Sequence, residues 1–328
     1  MKIGNRIISR ITTLALAAGI AAALLCSCGG SGDGDETTAP DSETTPEVTT
    51  EQTTAKPETT EPETTEVTEP EPEPEPEHPT DDTTDEILRG LLSRSVPQAS
   101  TEANYSEDGD LPIGLMYHLI METPFNDYSS LFVRPEEFDD QLTAITNAGY
   151  AFLFADEYGP KDRPAVLVTF DDGYEDNYTV LFPLIQKYGM KVNIAVITDY
   201  VGWNHKMTEE QIREMQASGL VSFLSHTATH PMLTECSQAE LEEEMDSSRR
   251  ALLRLTGTLP TVLVYPYGDN NAMVQETAAR YYDMGVIMTD GSCYVTGDEP
   301  YTVTRFYVSR YTGLEAFGDM VSWAGTAE

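Results

Sequence analysis

From residue 113 to the C-terminus, short unbroken apolar runs alternate with amphipathic stretches. That alternation restricts the fold more than any other feature of the chain. The runs cover 113–117, 165–170, 192–197, 221–224, 261–265, 286–289 and 302–308. Most are continuous rather than alternating, as expected for strands buried on both faces. Helix signals lie between them. Pro135 stands at a first helical position ahead of Phe138 and Leu142, and Gly149 ends that stretch. Thr208 with Gln211, and Ser237 with Glu240, are capping-box pairs. The second pair opens a helix with Leu241, Met245, Leu252 and Leu255 on one face and Gly257 beyond it; Asn271 is a cap for the next, with Gly285 past its end. Repeated strand–helix units predict parallel strands with right-handed crossovers. The number of units predicts an α/β fold, a barrel or near-barrel, with its chemistry at the carboxyl ends of the strands.

The N-terminal third does not share this pattern. Lys2, Arg6 and Arg10 precede an apolar stretch, 11–25, too short and too abruptly ended for a good membrane span. It runs into Leu25-Cys26-Ser27-Cys28, which resembles the bacterial lipobox. That resemblance implies a signal peptide over 1–28, cleavage before Cys28 and a lipid on its sulfur, so an extracytoplasmic, membrane-anchored protein. Residues 29–86 are Thr, Glu and Pro in near-repeats with almost nothing apolar to bury, so ordering entropy wins. A disordered, extended linker over 29–105 and a folded domain over 106–328 are expected, with a short amphipathic helix near 85–95 packing on that domain. The formal net charge of −37 argues against nucleic acid as a partner, and against a membrane except through the lipid. Besides the two signal-end cysteines only Cys236 and Cys293 remain, too few for a disulfide framework.

Three motifs fall at strand ends. Thr169-Phe170-Asp171-Asp172-Gly173 follows the 165–168 run. Two adjacent carboxylates there are costly to bury unless a cation pairs with them, although a solvated turn is the plain alternative. Ser225-His226-Thr227-Ala228-Thr229-His230 follows 221–224 and offers two imidazoles at ligand spacing, in a chain with five histidines. One Asp and the two His make a three-ligand set with open positions, the arrangement of a catalytic metal. Such a metal polarises a carbonyl and acidifies water, and the other Asp could take a proton. Tyr265-Pro266-Tyr267-Gly268 follows 261–264 and can aim an amide N–H into the site as an oxyanion donor, or be no more than a turn. His118 ends the first strand of the domain.

In their order and spacing these elements resemble the polysaccharide deacetylase (NodB-homology) family, carbohydrate esterase family 4. The resemblance spans about 110–310 and implies a distorted, incomplete (β/α) barrel. It implies Asp171 as general base, Asp172, His226 and His230 as ligands of one divalent ion, and the Tyr267 N–H at the oxyanion. Zinc is the first choice of metal, with Co, Ni or Fe also suited to the donors. Two departures stand out. The third-motif arginine that orients the base in many members is Val264 here, which leaves Arg305 or another cation to substitute. No His follows His230, so the acid of the usual C-terminal motif is missing. The Leu115-Met116-Tyr117-His118 stretch is similar to the permuted, poly-N-acetylglucosamine deacetylase-like branch, in which the acid His comes first; that makes His118 the candidate acid. Asp290-Gly291 is a possible supporting element. The implied activity is removal of acetyl groups from N-acetylated glycans. Hydrolysis of O-acetyl esters such as acetylxylan, or silent glycan binding, are the alternatives, and an acetylated polysaccharide is the expected partner.

Overall fold

The structure is a computed structural model describing residues 82–123, 130–288 and 299–322. The expected signal peptide with Cys28, most of the expected linker, Asp290-Gly291 and Cys293 lie outside the described residues.

In chain order the elements are α1 (Asp82–Ser93), β1 (Tyr105–Asp110), β2 (Ile113–Tyr117), β3 (Leu119–Ile120), β4 (Phe132–Val133), α2 (Pro135–Asn147), β5 (Ala151–Phe152) and β6 (Ala165–Phe170). They continue with α3 (Phe182–Tyr188), β7 (Val192–Val196), α4 (Glu209–Ala217), β8 (Val221–Ser225), α5 (Gln238–Thr256), β9 (Val262–Val264), α6 (Ala272–Ala278), β10 (Met284–Val286), β11 (Phe306–Tyr307) and α7 (Leu314–Ser322). Eight strands make one parallel sheet in the order β10-β9-β8-β7-β6-β2-β11, with β5 paired to the start of β6. A parallel bridge from Val286 to Val303 brings the β10 edge next to the segment that enters β11. The sheet is therefore curled into the distorted, incomplete (β/α) barrel expected from the sequence.

Successive side chains of one strand enter different apolar clusters, which is why the runs read as unbroken. Val192, Ile194 and Val196 of β7 join the main core, while Ala195 packs with Leu224, Val262 and Val264. The capping signals operate as local chemistry predicts. The Thr208 and Ser237 side chains accept from the Gln211 and Glu240 amides, Asn271 accepts from Val274, and Gly257 ends α5 in the left-handed region.

Two boundaries differ from the sequence expectation. The short helix expected near 85–95 is α1, which starts at Asp82, inside the span expected as linker: Leu88 and Leu91 are buried in the main core, and α1 packs on α2 and α3. Ser100 also bridges Ala151 of β5. The strand expected at 286–289 lies at Met284–Val286, so Gly285 is a strand residue and not a helix stop. Its hydrogen has a reason. A Cβ there would come within 2.3 Å of the Tyr265 hydroxyl oxygen, in a ring that is wholly buried. Gly285→Ala should therefore cost about 1–3 kcal/mol of stability by displacing that ring. Urea denaturation would show it as a lower midpoint at unchanged slope.

Asp176 joins the loop after β6 to β3: its carboxylate accepts the Ile120 amide. Burial pushes this carboxyl up to about 7 despite that hydrogen bond. The folded chain then holds a proton that the unfolded chain has released, so stability falls as pH rises through 7. Asp176→Asn should remove roughly 1–2 kcal/mol of the loss seen between pH 6 and pH 9. Parallel denaturant curves of parent and variant at both pH values would measure the difference.

Candidate metal centre and catalytic cleft

Parallel strands put their carboxyl ends side by side. β2 delivers His118, β6 delivers Asp171 and Asp172, β8 delivers His226 and His230, and β9 delivers the turn at Tyr267. All six line one cleft of about 310 Å³, together with Leu131, Met288, Arg305 and Tyr307.

Asp172, His226 and His230 each point one ligand atom at a shared centre, with those atoms within 4.8 Å of one another. His226 Nε2 lies 3.3 Å and His230 Nε2 3.6 Å from Asp172 Oδ1, and the two Nε2 atoms are 3.1 Å apart. His226 Nδ1 is 2.8 Å from the Val264 carbonyl. A carbonyl only accepts, so Nδ1 carries the proton and Nε2 presents its lone pair. Burial, with His226 alongside, lowers His230 to about 4, so the His230 ring is neutral near pH 7. Burial alone would raise the Asp172 carboxyl; the polar groups that face it, His226 first, with His118 and the Lys206 ammonium beyond, outweigh burial and hold the group far below the usual range. Two imidazole lone pairs and a carboxylate oxygen converging this closely fit a small divalent cation.

The neighbouring carboxylate has a different partner. Asp171 is almost wholly buried and takes a two-pronged ion pair from Arg305, Nη1 to Oδ1 at 2.7 Å and Nη2 to Oδ2 at 2.8 Å. Burial pushes its carboxyl up, but the guanidinium charge and hydrogen bonds prevail, so the group is ionised. Arg305 also donates to Thr169 Oγ1 at 2.6 Å. It precedes β11, whose Phe306 pairs with Leu115, and so it rises from inside the barrel beneath the site. Gly114 on β2 makes room for it: a Cβ there would meet the Thr304 carbonyl at 2.7 Å and Arg305 Cγ at 2.8 Å. The position where many relatives carry arginine, Val264, lends its backbone carbonyl to His226 instead.

His118 is held through its backbone, with its carbonyl accepting from Asn177 Nδ2 at 3.0 Å. Its ring stands edge-on to Tyr307, and its Nδ1 is buried with no hydrogen-bond partner among the described residues. Burial lowers its pKa against the opposing pull of Asp172 and Asp171. Tyr267 stands in the left-handed region at φ 58°, and its exposed ring packs edge-on to His230 with centroids 4.5 Å apart.

Backbone strain concentrates here. Five described non-glycine residues have positive φ, and four of them are Asp172, Thr227, His230 and Tyr267. The supports for the strained turns were not singled out from the sequence. Glu244 on α5 accepts from the Ala228 and Thr229 amides at 2.9 Å each and from the Thr229 hydroxyl at 2.6 Å. Lys206 lies over the Tyr174 ring and donates to the Asp172 carbonyl at 3.1 Å. Glu244 is one acid among many on an amphipathic helix and Lys206 sits in a polar loop, so neither carries a sequence signal. Thr169 does, since it opens the first motif.

Comparison with known proteins agrees with this geometry. The family model described as polysaccharide deacetylase matches residues 158–285. YxkH of Bacillus subtilis (strain 168), classed with the polysaccharide deacetylases, is 33% identical over 218 residues, covering 63% of this chain and 75% of that protein. A poly-beta-1,6-N-acetyl-D-glucosamine N-deacetylase of Staphylococcus epidermidis is 23% identical over 277 residues, 73% of this chain and 94% of its own. The crystal structure of BC0361, a polysaccharide deacetylase from Bacillus cereus, superposes with a TM-score of 0.60 at 28% identity, covering 64% of this chain and 69% of that one. The chain therefore belongs to the polysaccharide deacetylase (NodB-homology, carbohydrate esterase family 4) family of hydrolases.

Proposed function

We propose that this chain hydrolyses the N-acetyl groups of N-acetylglucosamine-containing polysaccharide or peptidoglycan, with one divalent metal ion held by Asp172, His226 and His230. The observation that carries this reading is the pairing of that ligand triangle with an ionised carboxylate, Asp171, fixed by Arg305 in the same cleft. The Staphylococcus epidermidis relative, a poly-N-acetylglucosamine N-deacetylase, supports an amide rather than an ester as the bond broken.

A divalent cation bound there supplies Lewis acidity, which polarises the acetyl carbonyl and acidifies water. The chain's own residues do the rest. Asp171 accepts the proton from the attacking water, and Arg305 keeps that carboxylate ionised and fixes the direction of its lone pairs. The Tyr267 amide N–H donates to the oxygen that becomes negative as the carbonyl turns tetrahedral. His118 supplies the proton that lets the amine leave. Leu131, Met288 and Tyr307 give the cleft an apolar wall suited to a methyl group. Zinc suits the two nitrogens and one oxygen best, with Co, Ni or Fe as alternatives. The lipobox at Cys28 and the Thr/Glu/Pro linker support a position outside the cytoplasm, with the catalytic domain held off the membrane on a stalk.

The deciding experiment is acetate release by the full chain across N-acetylglucosamine polymers, peptidoglycan and acetylxylan, with metal content measured on the same sample. Asp171→Asn should lower turnover on N-acetylated polymer by about 1000-fold and His118→Ala by about 100-fold, both with metal retained. Acetate from acetylxylan alone would replace the amide reading by the ester one. No acetate from any polymer would leave glycan binding.

Arg305 generates a separate expectation. In Arg305→Met, burial acts on Asp171 with its strongest opposing group removed, so its carboxyl rises and a higher pH is needed to ionise it. The acid limb of the pH–rate profile should move up by about one unit or more. Arg305→Lys keeps the charge but not the fork and should lie between the two. An unmoved acid limb in Arg305→Met would detach the arginine from the base.

A further inference from the structure

The segment between β7 and α4 touches both metal-ligand turns and carries an exposed aromatic face. On one side, the Thr198 and Asp199 amides donate to the Thr227 and Ala228 carbonyls at 3.3 and 3.0 Å, and the Tyr200 hydroxyl reaches the Thr229 carbonyl at 3.4 Å. On the other side, Met207 donates to the Gly173 carbonyl at 3.1 Å and Lys206 Nζ to the Asp172 carbonyl. The loop is closed on itself as well, with Trp203 donating to Tyr200 at 3.0 Å and Lys206 to Trp203 at 3.0 Å. On this frame the Tyr200 and Trp203 rings stack at 4.5 Å between centroids and 20° between planes. Trp203 is nevertheless 60% exposed, so one face of the indole is covered by Tyr200 and the other is open.

An open indole face costs free energy in water, and here the chain holds it rigid rather than folding it away. Its place in the sheet gives it a use. The loop after β8 carries His226 and His230, and it is flanked in the strand order by the β7 loop with Trp203 and the β9 turn with Tyr267. Tyr267, itself 60% exposed, lies against His230, so exposed aromatic rings stand on either side of the ligand turn. A pyranose ring has an apolar face of axial C–H groups that matches a flat aromatic. A polymer crossing the ligand turn would set one such face on Trp203 while a neighbouring residue presents its acetyl group to the cleft.

We propose that Trp203, stacked on Tyr200, is a carbohydrate-binding subsite that seats a sugar ring adjacent to the one whose acetyl group enters the cleft. This rests on the deacetylase reading for the identity of the ligand as a glycan. It goes beyond that reading in assigning where the rest of the polymer binds.

The test measures binding apart from chemistry. The full chain carrying Asp171→Asn is titrated calorimetrically with β-1,6- and β-1,4-linked N-acetylglucosamine pentamers, with Trp, Ala or Phe at position 203. Trp203→Ala should weaken pentamer binding about ten-fold, and Trp203→Phe, which keeps a flat ring, should stay within about three-fold of the parent. With Asp171 intact, Trp203→Ala should raise KM on the pentamer by a similar factor and leave kcat within about two-fold. Equal pentamer affinity in the Trp and Ala forms overturns the subsite, as does no binding of either pentamer. The deacetylase reading fails separately: Trp203-dependent binding with no acetate released by the parent would keep the subsite and discard the hydrolysis.

Discussion

Two adjacent carboxylates at the end of a buried strand repel each other and lose hydration together, and the cleft is organised around giving each a different partner. Asp171 meets Arg305, and Asp172 meets His226 and His230, in the same cleft. The left-handed backbone at Asp172, φ 73°, is what turns consecutive side chains to different partners. The division of labour follows from that turn. A carboxylate locked in a two-pronged ion pair keeps its charge and a fixed direction, which suits proton transfer. A carboxylate beside two imidazole lone pairs suits a metal.

Much of this was legible in the sequence, and the reason is locality. Helix caps, strand cores and the three motifs depend on residues within a few positions of one another, so composition and spacing report them. The strands at Ile113–Tyr117 and Ala165–Phe170 have the bounds of their apolar runs. The departure at Val264 was also visible, and it made a substitute cation necessary. Arg305 was named as one candidate, but the sequence left other cations open beside it, because it is 134 residues from Asp171 and meets it only through the pairing of β11 with β2. Nothing local distinguishes Arg305 from other arginines. Gly114, which clears its path, looks like any glycine in a strand. The short helix expected near 85–95 is present as α1, but its start at Asp82 was not legible, since the burial of Leu88 and Leu91 depends on packing against α2 and α3.

The ligand turns are strained, and the balance of terms shows why they hold. A non-glycine residue in the left-handed region costs on the order of 1–3 kcal/mol, and Thr227 and His230 both occupy it within one short turn. Glu244 returns three hydrogen bonds to that turn, each to an ionised acceptor, and bonds of that kind contribute about 1.5–3 kcal/mol apiece. Thr227 adds its hydroxyl to the His230 amide at 3.0 Å, and Ser225 Oγ takes the Thr227 amide at 3.3 Å. The supports therefore match or exceed the strain, and the two imidazoles are held in place by the protein itself.

That rigidity extends outward through the β7 loop. Because the same segment is bonded to the Asp172–Gly173 turn and to the Thr227–Thr229 turn, the two halves of the ligand set cannot shift independently of it or of each other. A flexible polymer loses chain entropy on binding, and a site that is already ordered adds no further ordering cost of its own. The chain thus combines an acidic, Thr/Glu/Pro-rich N-terminal sequence with a cleft in which most polar groups have a fixed partner. Among the described residues that line the cleft, two buried side-chain atoms lack one, Nδ1 of His118 and the hydroxyl of Tyr265. On the proposed mechanism the unmatched imidazole nitrogen has a use, since a ring bonded to no neighbour is free to carry the proton that the leaving amine takes.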